Sequence, residues 1–538
     1  MRPASRIALR RWLGLALLAS WLIGGAAASE LPRIVTRDGR HALLVDGKPF
    51  LILGGQVNNS SAWPAMLDQV WPCIEQLHAN TVEVPIAWSQ LEPSEGHFDF
   101  SFLDLLVAQA RAHQVRLVLL WFATWKNNAP GYAPAWVKLD NARFPRVRTR
   151  AGKQLDSLSP HAASTLDADR RAFVALMTHL RQIDGERHTV ILVQVENESG
   201  TYGTDRDYSP MADKLFAGPV PAALLRATGK PRGDWSQVFG ADAGEIFNAW
   251  SIARYIGQVA AAGKAVYDLP MYVNAALRDP FTPGPPGSYA SGGPTDNVLA
   301  VWKAAAPALD LLGPDIYLPE YAKYTAVLDR YARPDNPLFV PETGNAPLYA
   351  RYLYAALAHG AIGYSPFGMD FTGYSNYPLG ARVLDHAVVE DFAVNYRALA
   401  PMAGLIATAA LDGKLWGAAE PTATHSQTLD LGDWQARLGY GQPQFGDAPA
   451  HGNPQPDGGV LIAQLGRDEY LVVGRDVRVD FLPGKSRQGV HYLYDRVEEG
   501  HYQDGQWIFR REWNGDQTDY GLNFTGVPQV LRVRLATY

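Results

Sequence analysis

The sequence predicts an α/β protein: a ring of eight parallel strands and eight helices over residues 29–405, followed by an antiparallel β-sandwich over 406–538. Three observations predict it. From residue 31 to about 404, short apolar runs of strand length alternate with longer helical patterns, as parallel strands joined by crossover helices require. Eight strand runs occur in that span, the number that closes a (β/α)8 barrel. Beyond 405 the period shortens to alternating segments such as Glu469-Tyr-Leu-Val-Val-Gly, set apart by Gly, Asp and Asn, which is antiparallel patterning.

Taken in order, the strand runs end in unusual polar residues, on the side where the loops of a TIM barrel build a site. The first, 50–55, leads into Gln56, Asn58 and Asn59. The second, 81–87, contains Glu83 and runs into Trp88. The third, 116–122, delivers Trp125, Lys126 and Asn127. The fourth, 190–197, finishes Glu196-Asn197-Glu198. The fifth, 270–275, holds Asn274, and the sixth, 309–317, holds Asp315 and Tyr317. The seventh, 337–342, ends in Glu342, and the eighth, 361–367, ends in Phe367 ahead of Asp370. Helical patterns at 101–113, 168–183, 246–267, 321–331 and 347–359 fall between them.

Length and composition set outer limits. At 538 residues the chain exceeds a single core, so two or three domains are expected. Arg2, Arg6, Arg10 and Arg11 precede an apolar stretch that ends in Ala26-Ala-Ala28, so residues 1–28 are expected to be a cleaved export signal and the mature protein periplasmic or secreted. The formal net charge is −6, and removing those arginines leaves about −10. That balance disfavours nucleic acid and anionic membrane as partners. Cys73 is the only cysteine, so no intramolecular disulfide forms, and its amphipathic segment marks a buried structural thiol. The tryptophans and tyrosines of the C-terminal part are expected to be core and inter-domain packing.

Two apolar strands that end in glutamate carry the chemistry. Burying a carboxylate costs several kcal/mol unless it is paired or neutralised, so acids placed where strands leave a core are held there for a purpose. Glu198 is read as a general acid/base with a raised pKa, and Asn197 as the holder of a sugar 2-hydroxyl. Glu342 is read as a nucleophile, with Pro341 enforcing extended backbone before it and Gly344 allowing a tight turn after it. Strand alternation places Gln194, Glu196 and Glu198 on one inward face, Glu196 a layer deeper. Fourth and seventh strands lie across the ring, and carboxyl groups about 5–5.5 Å apart would retain anomeric configuration, whereas about 6.5–9.5 Å would invert it. Around the two acids, Asn58, Asn59, Trp125, Lys126, Asn127, Tyr317 and Phe367 form the expected floor of a sugar pocket, offering flat faces to C–H groups and fixed amides to hydroxyls. The 13 histidines show no metal-ligand spacing, and neither a phosphate loop nor a G-x-S-x-G elbow occurs, so no metal or cofactor is expected.

The pair Val193-Gln-Val-Glu-Asn-Glu-Ser-Gly and Val340-Pro-Glu-Thr-Gly-Asn, together with Asn80-Thr-Val-Glu-Val-Pro-Ile-Ala-Trp and Leu91-Glu-Pro-Ser-Glu-Gly-His-Phe-Asp-Phe, resembles glycoside hydrolase family 35 β-galactosidases over roughly residues 31–405. The resemblance implies Glu198 as acid/base, Asn197 as its hydroxyl-binding partner and Glu342 as nucleophile. It departs at Gly55-Gln-Val-Asn58-Asn59, where many members have Ser-Gly-Ile-His-Tyr, and at Trp125-Lys126-Asn127, where they have Cys-Ala-Glu. The expected protein is a retaining exo-β-galactosidase that releases terminal galactose from oligo- or polysaccharides such as plant xyloglucan side chains. An endo-β-glycanase of the same clan needs an open cleft, whereas the long insertions at 130–164 and 201–245 favour a walled pocket. A non-catalytic carbohydrate-binding barrel has no reason to keep both acids.

Overall fold

The computed structural model describes residues 30–538, so the expected export segment lies outside the described residues. Eight parallel strands close into a barrel: β1 (Ile52–Gln56), β2 (Thr81–Ala87), β3 (Arg116–Lys126), β4 (Val190–Asn197), β5 (Met271–Ala276), β6 (Leu311–Ile316), β7 (Val340–Thr343) and β8 (Gly363–Pro366). A helix follows each strand in turn: α1 (Leu67–Leu77), α2 (Ser101–Ala112), α3 (Ala163–Asp184), α4 (Ala243–Lys264), α5 (Leu299–Ala305), α6 (Tyr321–Tyr331), α7 (Tyr352–Ala358) and α8 (His386–Leu399). Every residue of β2 and β4 is buried, because lumen side chains cover one face and helices the other; unbroken Val, Leu and Ile runs are what such strands need. Cys73 lies buried in α1, where desolvation pushes its thiol up and out of the reactive range.

An antiparallel meander, Arg33–Arg37, Arg40–Val45 and Lys48–Phe50, precedes β1. Its Leu43 and Val45 join Ile52, Val118, Leu120, Tyr272, Leu311 and Phe339 in one apolar cluster that fills the lower lumen. The barrel is therefore stopped at one end and open only where its strands finish.

The C-terminal part is a sandwich. One sheet runs Leu415–Ala419, Gly459–Gly466, Glu469–Arg475, Gln529–Thr537, Tyr492–Gln503, Gln506–Trp513; the other runs Ser426–Asp430, Trp434–Gly439, Val477–Pro483, Leu522–Phe524. Trp434, Tyr470, Phe481, Trp513 and Phe524 fill the space between them, so these aromatic residues are core. The helix Ala403–Leu411 runs through residue 405, and the first sandwich strand begins at Leu415, so the join falls later than the composition change suggests. Leu461, Ala463, Leu471 and Val473 continue the barrel's own apolar core into the sandwich. Polar contacts also cross: Arg351, beside α7, donates to the carbonyl of Pro456, and Arg475 lies 3.4 Å from Asp457 and 3.7 Å from Asp391 of α8.

Trp434 is the largest fully buried side chain of the sandwich. Its indole N–H donates to Asp468 at 2.9 Å, and the Arg487 guanidinium lies 4.9 Å from its ring. Trp434→Ala is expected to cost about 3–5 kcal/mol through the cavity left between the sheets. The measurement is a lowered urea midpoint; an unchanged midpoint would place the core elsewhere.

Candidate functional site

At the end of β4 the backbone leaves ordinary strand geometry twice. Glu196 has φ +64° and Glu198 φ +43°, left-handed conformations that cost a non-glycine residue about 1–3 kcal/mol each and persist only where their surroundings impose them. The neighbouring strand bulges to match. Trp121 pairs with Val195, and the next pair is Lys126 with Asn197, so β3 loops outward between them. These twists overturn the expected alternation. Glu196 is not a layer beneath Glu198: it turns away to the helical layer, where its carboxyl accepts the Trp125 backbone N–H at 2.7 Å. There it meets Asp169 of α3, which accepts from Trp121 Nε1, Thr124 Oγ1 and Tyr255 OH at 2.9, 2.6 and 3.1 Å. Burial, followed by the Asp169 carboxyl beside it, holds Glu196 well above the usual carboxylate range.

Glu198 turns the other way, into the mouth of the barrel. Its backbone N–H donates to Asn274 Oδ1 at 2.9 Å, and its carbonyl accepts from Asn128 Nδ2 at 3.3 Å. Burial and then the charge of Glu342 push its carboxyl up to about 7, against the pull of the Lys126 ammonium and of Asp315. Asn197, wholly buried beside it, leaves both its amide oxygen and its amide nitrogen without a protein partner. A pair of unspent hydrogen-bonding atoms in such a place suits a ligand hydroxyl.

Glu342 ends β7, where it accepts from Tyr317 OH at 2.5 Å and Gln56 Nε2 at 3.1 Å. Tyr317 is fixed in turn by Tyr349, whose hydroxyl donates to the Tyr317 carbonyl at 2.9 Å. Gly344 serves that packing and not a left-handed turn: a Cβ there would lie 2.3 Å from the Tyr349 ring. Oxygens of Glu198, Asp315 and Glu342 all lie within 4.8 Å of one another. The two glutamates stand three strands apart around the ring, and Asn274 of β5 and Asp315 of β6 bridge the interval, with Asp315 directly in register with Glu342. Oxygens so spaced are also what a cation would take, although the Lys126 ammonium already supplies positive charge to them. Below them Glu83, buried in the lumen and hydrogen-bonded by Tyr272 OH at 3.0 Å, is pushed up to about 8 by desolvation.

The other expected pocket residues divide. Tyr317 donates to Glu342, and the Lys126 ammonium acts on Glu198 and Asp315. The Lys126 ammonium donates to Asn127 Oδ1 at 2.5 Å and lies 5.1 Å from the centre of the Phe122 ring. Asn58 donates its backbone and side-chain N–H groups to Asp370, and the amide oxygens of Asn58 and Asn59 have no protein partner among the described residues. Phe367 is buried after β8, its N–H donating to Thr343. Trp125 is a correction. The bulge of β3 sends its ring outward against Tyr255, centroids 4.8 Å apart, with its indole N–H shared between Ser157 and Leu158, so it offers no face to the pocket. Asn127 is exposed, and its neighbour Asn128 is the buried amide that reaches Glu198. Sequence reasoning gave no role to Gln56, Asn128, Asn274 or Asp315; the last two stand out as polar residues at strand ends, but only the strand register makes them neighbours of both glutamates.

Comparison with known proteins places the likeness in the barrel. Residues 60–252 match the family model Glyco_hydro_42, described as Beta-galactosidase, and residues 392–525 match one described as a domain of unknown function, DUF5597. A beta-galactosidase of Xanthomonas manihotis is 33% identical over 175 residues, which is 31% of this chain and 26% of that protein. The human Beta-galactosidase-1-like protein 3 is 28% identical over 205 residues, 36% of this chain and 29% of that protein. The chain thus spans less than a third of the length of these curated relatives. Among solved structures it is similar to a beta-galactosidase from Bacillus circulans sp. alkalophilus, with 15% identity and a TM-score of 0.49 over 66% of this chain and 57% of that one. The stretch that supplies Glu198 is therefore similar to β-galactosidases, and the family model it matches is that of family 42, which gives the assignment to family 35 no support.

Proposed function

We propose that the protein is a β-galactosidase that hydrolyses terminal galactosyl residues with retention of configuration. One observation carries the reading: oxygens of Glu198 and Glu342 lie within 4.8 Å, the first carboxyl held neutral up to about pH 7 and the second gripped by Tyr317 and Gln56. That separation is in keeping with a double displacement and short of the gap that an inverting enzyme keeps for water. In the first step Glu342 attacks the anomeric carbon while Glu198 gives its proton to the leaving oxygen. In the second, Glu198 takes a proton from water as the water oxygen displaces Glu342. Asn197, with its free amide, is the residue that grips a ring hydroxyl.

Exo action is supported by loops that interlock around the mouth. The β3 and β4 loops join through Arg148 N–H and Asp207 at 3.0 Å, those of β4 and β5 through Thr201 and Ser291, and those of β1 and β8 through Asn58 and Asp370. A walled pocket admits a chain end more readily than a chain middle. Galactose-bearing side chains of plant polysaccharides such as xyloglucan are the proposed source, and a placement in family 35 rests on the strand-end motifs alone. Export to the periplasm or beyond is proposed on residues 1–28.

A panel of nitrophenyl glycosides tests the activity. Turnover is expected on the β-galactoside, with losses of at least a thousandfold in Glu342→Gln; turnover confined to internal polymer linkages would make the protein an endo-glycanase, and none at all would leave a binding protein. Proton NMR of the first sugar released is expected to show the β-anomer, and an α-anomer would refute retention.

Activity needs Glu198 protonated, so kcat/KM is expected to fall as pH rises through about 7. The same group links to stability. Its folded pKa lies above the unfolded one, so its stabilising share is complete below about pH 4.5 and lost as pH rises through about 7. Glu198→Gln is therefore expected to melt above the wild type at pH 8 and level with it near pH 4; equal melting at both would refute the shift.

A further inference from the structure

Asp315 takes no part in the double displacement assigned to Glu198 and Glu342, although it stands between those two acids. The residue is only 3% exposed. Asn274 fixes which of its oxygens is which. A backbone N–H can only donate, so the Asn274 oxygen must face Glu198 N–H at 2.9 Å, and the Asn274 NH2 must face Asp315 Oδ2 at 2.7 Å. Oδ2 is thereby an acceptor. Any proton on Asp315 sits on Oδ1, which has no protein partner in the described structure and belongs to a carboxyl whose near oxygen is within 4.8 Å of Glu198 and Glu342. The charged and titratable groups facing it are Glu198 from β4, Glu342 from β7 and Lys126 from β3, with Tyr272, Tyr317 and Tyr331 around them. Three carboxyls against one ammonium cannot all ionise.

We propose that Asp315 is a positioning residue that keeps its proton throughout the reaction and offers it from Oδ1 to Glu198 whenever Glu198 is a carboxylate. The inference rests on the double displacement proposed for the two glutamates. When Glu198 passes its proton to the leaving oxygen, Glu342 becomes an ester, and the negative charge moves from one glutamate to the other. Asp315 stays neutral, so the three acids together carry one charge before and after, matched by Lys126. A donor waiting beside Glu198 then stabilises the carboxylate that must next accept a proton from water. Burial and the charges of Glu342 and Glu198 push Asp315 well above the usual carboxylate range, in keeping with a proton held through the cycle.

The test compares Asp315→Asn and Asp315→Ala with the wild type by pH–rate profiles on a nitrophenyl β-galactoside. Asparagine preserves the shape, the acceptor toward Asn274 and a donor toward Glu198; alanine removes the donor. In Asp315→Ala kcat is expected to fall about 10- to 100-fold, the scale of one hydrogen bond to a charged group, and the alkaline limb of kcat/KM to move upward. Asp315→Asn is expected to recover at least tenfold of that loss and to return the limb toward its wild-type position. Equal limbs in all three, or an asparagine variant as impaired as alanine, would overturn the proposal. Infrared difference spectra of the carboxyl C=O band, followed against pH without substrate, read the Glu198 titration directly. A Glu198 midpoint that rises in Asp315→Ala and returns in Asp315→Asn supports the idea even if no glycoside is turned over, whereas an unmoved midpoint refutes it.

Discussion

Crowding of acids in a closed space is the constraint from which the architecture of this site derives. Glu198, Asp315 and Glu342 bring oxygens within 4.8 Å of one another, in a pocket whose ammonium is Lys126. Like charges at that range in a poorly solvated space drive protons onto the group that can best hold them. Burial and hydrogen-bond supply decide which. Glu342 receives two donors, from Tyr317 and Gln56, while Asp315 receives a single amide and the Glu198 carboxyl faces Asp315 and Lys126. The asymmetry between the two glutamates therefore lies in their neighbours and not in the residue type they share.

The geometry is bought with backbone strain at Glu196 and Glu198 and is held by a second buried acid pair. Glu196 and Asp169 face each other in the layer between barrel and helices, each knitted into β3 through Trp125 N–H, Trp121 and Thr124. Because α3 and α4 close over that pair through Asp169 and Tyr255, the bulge of β3 cannot relax without breaking several buried hydrogen bonds. Lys126 emerges from the far side of the same bulge, so the cation of the pocket and the turn at Glu198 are set by one piece of local structure.

Much of this was legible in the residues. Apolar runs at 81–87 and 190–197 coincide with β2 and β4, since strands buried on both faces leave an unbroken apolar signature, and their β-branched residues and strand length separate them from a buried helix such as α7. Glu198 and Glu342 were readable because a carboxylate at the end of such a run is costly without cause. The direction of each side chain was not readable. A period of two assumes regular pleating, and the left-handed residues at Glu196 and Glu198 and the bulge of β3 between Trp121 and Lys126 break it, so Glu196 and Trp125 belong to the outer layer while Glu198 still faces the mouth. Asp315 and Asn274 were visible at their strand ends, but nothing along the chain gives the register that sets them between the two glutamates.

The meander at Arg33–Phe50 gives the barrel a floor, with Leu43 and Val45 seated under the lumen. Such a vessel has one doorway. Whatever enters past the rim must back out along the same path. The traffic of small molecules is thus governed by the knotted loops at the top, so remodelling those loops alters how long a guest stays without touching the acids beneath.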